Sequence, residues 1–233
     1  MDARVLLDLS RQVTGTVDLQ EVLDRSFAAL RRLMDFDGGA IQLVDDGALV
    51  AAAAQPELSP EARRVRIPVG QGVSGGIAAS GEPVYIPDVT VDERVHPEGR
   101  KAGLSGGVRS YFGAPLIMGG APIGVVQVDA KRIDAFDEPT RTTVLAFVPT
   151  IAAAVIQARA FEHERDALSR ALRATDGITQ GLAVAKYALE AGEDAMTRSA
   201  IEDTLLRARE VISQLLGDQP TPGDLRGDAP SET

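Results

Sequence analysis

The sequence contains no cysteine and only two histidines among its 233 residues. The absence of cysteine excludes disulfide bonds, thiolate metal sites, cysteine nucleophiles and cofactors attached through a thioether. His96 and His163 lie far apart, and neither belongs to a metal-binding motif such as H-E-x-x-H. The sequence therefore predicts no metal site, and it offers no specific set of catalytic residues.

Long hydrophobic runs and an excess of basic residues are also absent. The most apolar stretch, residues 144–156, contains Pro149 and Thr150 and is shorter than the roughly 18 apolar residues of a membrane span. The N-terminus has acidic residues and no long apolar run, so it does not resemble a secretory signal. The net charge of −10 argues against an extended nucleic-acid surface. These features predict a cytoplasmic protein with neither a membrane nor a nucleic-acid partner.

The composition, with 44% hydrophobic and 25% charged residues, is that of a globular protein. Apolar residues at three- and four-residue spacing predict two helices within the first 35 residues, separated at Gly15 and Thr16. Asp18 followed by Glu21 predicts the N-cap of the second helix.

From about Asp37 the hydrophobic pattern becomes that of strands. The segment GGAIQLVDDGALVAAAA predicts a hairpin that turns at residues 45–47. Further strands are predicted in RVRIPV, EPVYIPDV, VRSYFGAPLIM and PIGVVQVDAK, and a short glycine-bounded helix in GQGVSGGIAASG. Residues 91–107 are polar and glycine-rich, which predicts a long loop.

A long helix is predicted to begin after Asp137, its N-cap. Its apolar residues alternate in steps of four and three over about five heptads, more than the roughly three to four that indicate a coiled coil. We expect this seam to mediate homodimerisation. Its principal residues are Phe147, Ile151, Phe161, Leu168, Leu172 and Leu182.

Polar residues interrupt the seam at Thr175 and Thr179, next to Gly177 and Gly181. Because glycine weakens a helix, alanine at both glycines is expected to stiffen this segment. A last helix is predicted up to about Leu216, followed by a disordered tail rich in proline, glycine and acidic residues.

The order of these elements up to about Phe161 resembles that of a GAF domain. Three segments carry the resemblance: LQEVLDRSFAALRRLMDFDGGAIQLVDD, RIPVGQGVSGGIAASGEPVYIPDV and RSYFGAPLIMGGAPIGVVQVDAKRIDAFDE. The resemblance implies an α+β fold in which a PAS-like antiparallel sheet has helices behind it and a pocket in front. It divides the chain into a sensory domain (1–160), a helical dimerisation and output hairpin (161–217) and a disordered tail (218–233).

GAF domains include members that bind bilins, haem, cyclic nucleotides or small metabolites, and members with no known ligand. The bilin-binding members and the methionine-sulfoxide reductases of the family use cysteine, so both types are excluded here. The nearest match to the cyclic-nucleotide signature N-K-x-x-x-F-D-E is DAKRIDAFDE, which lacks the asparagine and displaces Lys131 by one position. His96 is the one candidate haem ligand of the domain, and its polar neighbours favour an exposed loop residue. The ligand stays open.

The resemblance places the pocket near the segment from Asp88 to Arg109. The predicted pocket residues are Ile77, Tyr85, Asp88, His96, Arg109, Tyr111 and Val126. Two alternatives stay open at this point: Arg109 pairs with Asp88 or Glu98 rather than with a ligand, and the aromatic residues belong to the core.

Residues 70–75 also match the G-x-G-x-x-G pattern of dinucleotide-binding loops. Such a loop requires the first unit of a parallel sheet, whereas the surrounding pattern predicts hairpins. We therefore interpret these glycines as residues that allow a short helix to pack closely on the sheet.

Residues 175–216 resemble the dimerisation and phosphoacceptor hairpin of one class of sensor histidine kinases, which begins H-D-G-V-x-Q-x-L. The matching residues are Asp176, Gly177, Ile178, Gln180 and Leu182. Thr175 occupies the phosphoacceptor position and cannot replace histidine there, so kinase activity is not expected. A generic four-helix dimer bundle is an equal alternative, and an ANTAR-like RNA-binding output is a further one for which basic residues are sparse.

Together these features predict a non-enzymatic signal-transduction sensor that binds a small ligand or a protein partner of a two-component-like pathway. A ligand-free dimerisation scaffold is the main alternative.

Overall fold

The computed structural model describes residues 3–96, 100 and 103–216. They form two compact units, one up to Glu162 and one from His163 onward. The tail predicted to be disordered lies outside the described residues.

The first unit begins with two amphipathic helices, α1 (Ala3–Thr14) and α2 (Leu19–Leu33). The predicted N-cap of α2 is confirmed, because the side chain of Asp18 accepts a 2.9 Å hydrogen bond from the backbone N–H of Glu21. Such a bond satisfies one of the amide groups that the first turn of a helix leaves free.

Six strands form a single antiparallel sheet in the order β3-β2-β1-β6-β5-β4. The strands are β1 (Gly38–Asp45), β2 (Ala48–Gln55), β3 (Arg66–Pro68), β4 (Val84–Ile86), β5 (Ser110–Met118) and β6 (Ala121–Ala130). The predicted β1–β2 turn is confirmed: Asp46 and Gly47 both have positive φ, 44° and 72°, as a type I′ hairpin turn requires. Two short helices, α3 (Pro60–Arg63) and α4 (Gly72–Ser80), flank β3.

The two faces of the sheet have different partners. On one face, Ile41, Phe112 and Val126 belong to the main core together with residues of α1 and α2. On the other face, Val125 belongs to a smaller cluster with residues of α4. Because successive side chains of a strand point to opposite faces, the alternation along β5 and β6 separates a structural core from the face that carries the cavity described below.

The long helix α5 (Glu138–Glu190) begins where predicted, since the backbone N–H of Thr140 donates to the side chain of Asp137 at 2.9 Å. Its first part is a core helix. Phe147 and Ile151 are 1% and 0% exposed and pack into the main cluster. The prediction that these two residues form part of a dimer seam is therefore wrong, because their apolar stripe is covered within the domain.

The helix α5 is also long and apolar enough, by length and composition alone, to cross a membrane. Many apolar residues of its first part are buried in the main cluster, as in the core helix of a globular domain. Packing within the first unit thus accounts for the buried apolar residues of the first part of α5.

The second unit contains the later part of α5, a turn at Ala191–Glu193 and the helix α6 (Asp194–Leu216). The two helices come close where Gly181 faces Thr204, which is 5% exposed. The approach is so close that a Cβ at residue 181 would overlap the Thr204 side chain. The expectation that alanine would stiffen this segment is therefore wrong for Gly181, whereas Gly177 has open space around its Cα.

Large apolar side chains remain exposed on this second unit. Leu168, Leu172 and Leu182 of the predicted seam are 60%, 59% and 55% exposed, and on α6 Leu205 is 55% exposed. In the first unit, just before the boundary, Phe161 is 46% exposed. An isolated hairpin gains no burial energy from such side chains.

Candidate functional site

A cavity of about 430 Å³ lies on the face of the sheet opposite the one that packs against α1, α2 and the first part of α5. Its floor comes from β3 to β6, one wall from α4, and the cover from the segment that joins β4 to β5. The lining residues are Ile67, Gly72, Val73, Ser74, Ile86, Val89, Val95, His96, Gly103, Val108, Tyr111, Gln127 and Asp129. This size is typical of small-molecule sites.

Helix α4 reaches the sheet through a glycine. A Cβ at Gly75 would clash with the carbonyl oxygen of Pro68 at the end of β3, and the backbone N–H of Gly70 donates to the carbonyl of Gly75 at 2.8 Å. Since the described sheet is antiparallel throughout, the G-x-G-x-x-G motif is confirmed as a packing feature and not a dinucleotide loop.

The cover is held in shape by two arginines. The guanidinium of Arg100 donates to the carbonyls of Val89 at 3.1 Å, Asp92 at 2.7 Å and Val95 at 3.3 Å. Arg94 pairs with Asp92 and donates to the carbonyl of Tyr85 at 2.9 Å. These bonds tie the cover to β4 and keep apolar residues of the loop over the cavity.

A polar cluster occupies the floor. The amide oxygen of Gln127 accepts hydrogen bonds from the hydroxyls of Ser74 at 2.7 Å and Tyr111 at 3.0 Å. Burial raises the pKa of Tyr111, so its hydroxyl stays protonated and donates. With its oxygen engaged by two donors, the amide of Gln127 has its NH₂ group left to donate to a guest.

Asp129 lies two residues further along β6, on the same face as Gln127 and opposite Tyr111 in the strand register. Among the described residues, none donates a hydrogen bond to its carboxylate or forms an ion pair with it. Burial, reinforced by the nearby charge of Asp37, raises the pKa of Asp129, while Lys131 acts in the opposite direction. The carboxylate lines the cavity, and the charge of Lys131 acts on it without a described ion pair.

Two of the predicted pocket residues, His96 and Tyr111, line the cavity. Ile77 lies in the small core cluster between α4 and the sheet and has no exposed surface. Tyr85 and Val126 point to the opposite face: the Tyr85 hydroxyl donates to Asp134 at 2.6 Å, and Val126 is in the main core. The prediction that Tyr85 and Val126 line the pocket is therefore wrong. Their neighbours in the strands, Ile86 and Val125, are the residues that face the cavity side of the sheet, because successive side chains alternate between the two faces.

The remaining two predicted residues, Asp88 and Arg109, do not line the cavity and pair with each other at 3.3 Å. Asp88 also accepts from the hydroxyl and the backbone N–H of Thr90 at 2.7 and 2.9 Å, and these bonds lower its pKa. The alternative in which Arg109 pairs with Asp88 is thus confirmed, whereas Glu98 lies outside the described residues.

Sequence reasoning missed Ser74, Gln127 and Asp129, which supply most of the polar lining. A signal was available in β6, where Gln127 and Asp129 alternate with the buried apolar residues Val126 and Val128. Polar residues at alternate positions of a strand with an otherwise apolar sequence indicate a wetted face. Metal binding has no comparable support: the described residues contain no group of three or more His, Asp or Glu side chains suited to an ion.

A comparison of the sequence with known protein families identifies the family to which this fold belongs. The profile of the GAF domain family matches residues 16–156, more than half of the chain. The chain belongs to the GAF domain family.

Curated relatives of this GAF protein are regulators. The Nif-specific regulatory proteins of Azospirillum lipoferum and Azospirillum brasilense are each 24% identical to it over 131 residues. The match covers 55% of this chain and 21% of each relative, so the matched part of the chain spans about a fifth of the length of these proteins.

Solved structures share the GAF fold. The GAF domain of a phosphoenolpyruvate-protein phosphotransferase from Acinetobacter has a TM-score of 0.58 at 20% identity, covering 69% of this chain and 96% of that one. The free methionine-R-sulfoxide reductase of Neisseria meningitidis, solved with its substrate, has a TM-score of 0.56 at 26% identity, covering 66% and 88%. Since this fold serves both a domain of a larger protein and an enzyme, function has to be argued from the site.

Proposed function

We propose that this protein is a cytoplasmic, non-enzymatic signalling sensor whose GAF domain binds a small molecule and whose helical hairpin reports the binding by dimerising. The observation that carries the proposal is the cavity of about 430 Å³ with a polar floor and a cover whose described residues are hydrogen-bonded to one another and to β4. A pure scaffold would be expected to fill this space with side chains, since protein interiors are close-packed.

The family comparisons support a regulatory role. The curated relatives are regulatory proteins, and a structural neighbour was solved with a small-molecule substrate in complex. In this chain the chemistry of that neighbour's family is not expected, because there is no cysteine.

The exposed leucines of the second unit support dimerisation. Leu168 and Leu172 keep the heptad spacing of a seam and are more than half exposed. In a dimer of hairpins these side chains would be covered, which stabilises association by about 25 cal/mol per Å² of apolar surface removed from water. The hairpin resembles a kinase dimerisation segment, but kinase activity is not expected. At the position of the phosphoacceptor, the hydroxyl of Thr175 donates to the carbonyl of Ala171 of the same helix at 3.0 Å.

The link between cavity and hairpin is α5, which runs from Glu138 to Glu190. A ligand that binds more tightly to one conformation of the cover and sheet increases the population of that conformation. The position of α5 that is compatible with this conformation then becomes more populated as well. The hairpin dimer is then the two-state element, and a partner protein of a two-component-like pathway would recognise one of its states.

Sedimentation-velocity titrations test both halves of the proposal. The double variant Leu168→Glu/Leu172→Glu should be monomeric where the wild type is dimeric, because four charges would be buried in the dimer. The control Gln180→Glu adds a charge to the same helix at an exposed position outside the predicted seam and should leave the dimer intact.

A cavity-filling variant tests the relay itself. Val95→Trp places a large ring in the cavity from its cover, and it should change the dimer dissociation constant by about fivefold or more, a typical size of coupling between sites. Val91→Trp is the matched control, since Val91 belongs to the same loop, is 75% exposed and does not line the cavity. Equal dimer affinities for the two tryptophan variants would contradict the relay.

A further inference from the structure

The cavity combines an apolar wall with a single described anionic group. Ile67, Ile86 and Val108 contribute aliphatic surface, whereas Asp129 contributes a carboxylate at the floor. A buried or half-buried carboxylate is costly unless it is paired or hydrogen-bonded. No described residue pairs with or hydrogen-bonds to the Asp129 carboxylate, and Lys131 acts on it only through its nearby charge, so a cationic guest would supply the direct partner.

Two described arginines near the cavity are already engaged, whereas Lys131 lies close enough for its charge to act on Asp129. The guanidinium of Arg100 donates hydrogen bonds to three carbonyls of the cover, and Arg109 forms an ion pair with Asp88. None of the described lining residues is lysine or arginine. The described lining therefore offers an anionic ligand no fixed cation, whereas it offers a cationic ligand a carboxylate.

The neighbouring glycine keeps this carboxylate in place. Gly38 of β1 lies opposite Asp129 in the strand register, and a Cβ at Gly38 would come within 2.8 Å of the Asp129 Oδ1 atom. The carboxylate thus occupies the space above a residue without a side chain.

We propose that the ligand of this GAF domain is a small organic molecule with a protonated amine at one end and an apolar body, and that Asp129 is the counter-ion of the amine. The NH₂ group of Gln127 donates to a polar atom beside the amine, and the aliphatic wall covers the apolar body. This assignment of ligand class rests on the proposed sensor function and deepens it.

Three probes of matched shape test the charge preference: 2-phenylethylamine, 2-phenylethanol and 3-phenylpropanoate. Each is titrated into the 233-residue protein and followed by calorimetry or by chemical shifts of cavity methyl groups. The amine should bind at least about tenfold more tightly than the alcohol, as expected for a charge-assisted hydrogen bond, and the carboxylate most weakly. Tighter binding of the carboxylate would overturn the assignment.

The variant Asp129→Asn locates the effect. It should reduce the preference for amine over alcohol to about twofold or less, because the amide keeps the shape and loses the charge. Asp46→Asn is the control, since Asp46 makes the same charge change in an exposed turn at a positive φ that asparagine tolerates. A preference that survives in Asp129→Asn, or absence of amine binding to the wild type at millimolar concentration, would contradict the proposal.

Failure of the ligand assignment and failure of the sensor proposal give different results. Binding of 3-phenylpropanoate that also shifts the monomer–dimer equilibrium would leave the sensor in place and remove the amine assignment. Amine binding that depends on Asp129 but leaves the equilibrium unchanged would keep the assignment and remove the relay.

Discussion

The two parts of α5 differ in environment although their apolar spacing is the same. Up to Ala158 one face of the helix is buried, with Ile151 at 0% exposure, whereas Leu168 and Leu172 are about 60% exposed. The first part is stabilised by its own domain and the second is left with apolar surface that a partner could cover. Hydrophobic periodicity shows that a helix has an apolar face, but it does not show what covers that face.

The largest expected effect comes from truncating the covered face. Phe147→Ala should lower the free energy of unfolding of the first unit by about 3–5 kcal/mol, because it deletes a fully buried aromatic side chain. Denaturant unfolding followed by circular dichroism measures this. Leu168→Ala, the matched truncation on the exposed face, should cost well under 1 kcal/mol in dilute monomer. Equal losses in the two variants would contradict the contrast between the two parts of α5.

A second pair of variants sharpens the comparison within the hairpin. Gly181→Ala should destabilise the second unit by about 1–3 kcal/mol, because the new methyl group overlaps the side chain of Thr204. Gly177→Ala has open space and should stabilise the helix by about 0.5–1 kcal/mol. Hydrogen exchange across α6 reads out both changes, and a stabilising Gly181→Ala would show that the two helices do not approach at this point.

A smaller effect is expected in the cavity, where function and stability oppose each other. Burial beside Asp37 raises the pKa of Asp129 above the ordinary 3.8, so the folded state holds this proton more tightly than the unfolded state. The stabilising contribution is complete below pH 3.8 and is lost as the pH rises through the raised pKa. The other titratable groups at this point are Lys131, which lowers the pKa, and His96 and Tyr111 of the cavity lining.

The variant Asp129→Asn therefore should be more stable than the wild type at pH 7 in the absence of ligand, and the difference should disappear as the pH approaches 3.8. Urea unfolding at several pH values measures this, with Asp46→Asn as the control. A wild type that is more stable than Asp129→Asn at pH 7 would indicate that a residue of the chain already neutralises the carboxylate.

Much of the fold followed from local sequence chemistry. The N-caps at Asp18 and Asp137 and the turn at Asp46–Gly47 were predictable because each depends on a few adjacent residues. The burial of Phe147 was not, because a core helix and a coiled-coil seam share the same spacing.

The site was harder to predict than the fold. The GAF resemblance located the cavity near β4, β5 and the loop between them, and it placed His96 and Tyr111 there. Assigning Tyr85 and Val126 to the same face failed because one residue of register reverses the direction of a strand side chain. Asp129 and Gln127 become recognisable only when the faces of β6 are known.

Native mass spectrometry of the purified protein tests ligand binding and dimerisation in one spectrum, since it reports subunit number and bound mass together. We predict a dimer that carries one small molecule per cavity in the wild type and loses that mass in Val95→Trp. A dimer would confirm the covered second part of α5, and the added mass would confirm the sensor. A bare monomer at micromolar concentration would contradict both the hairpin dimer and the relay built on it.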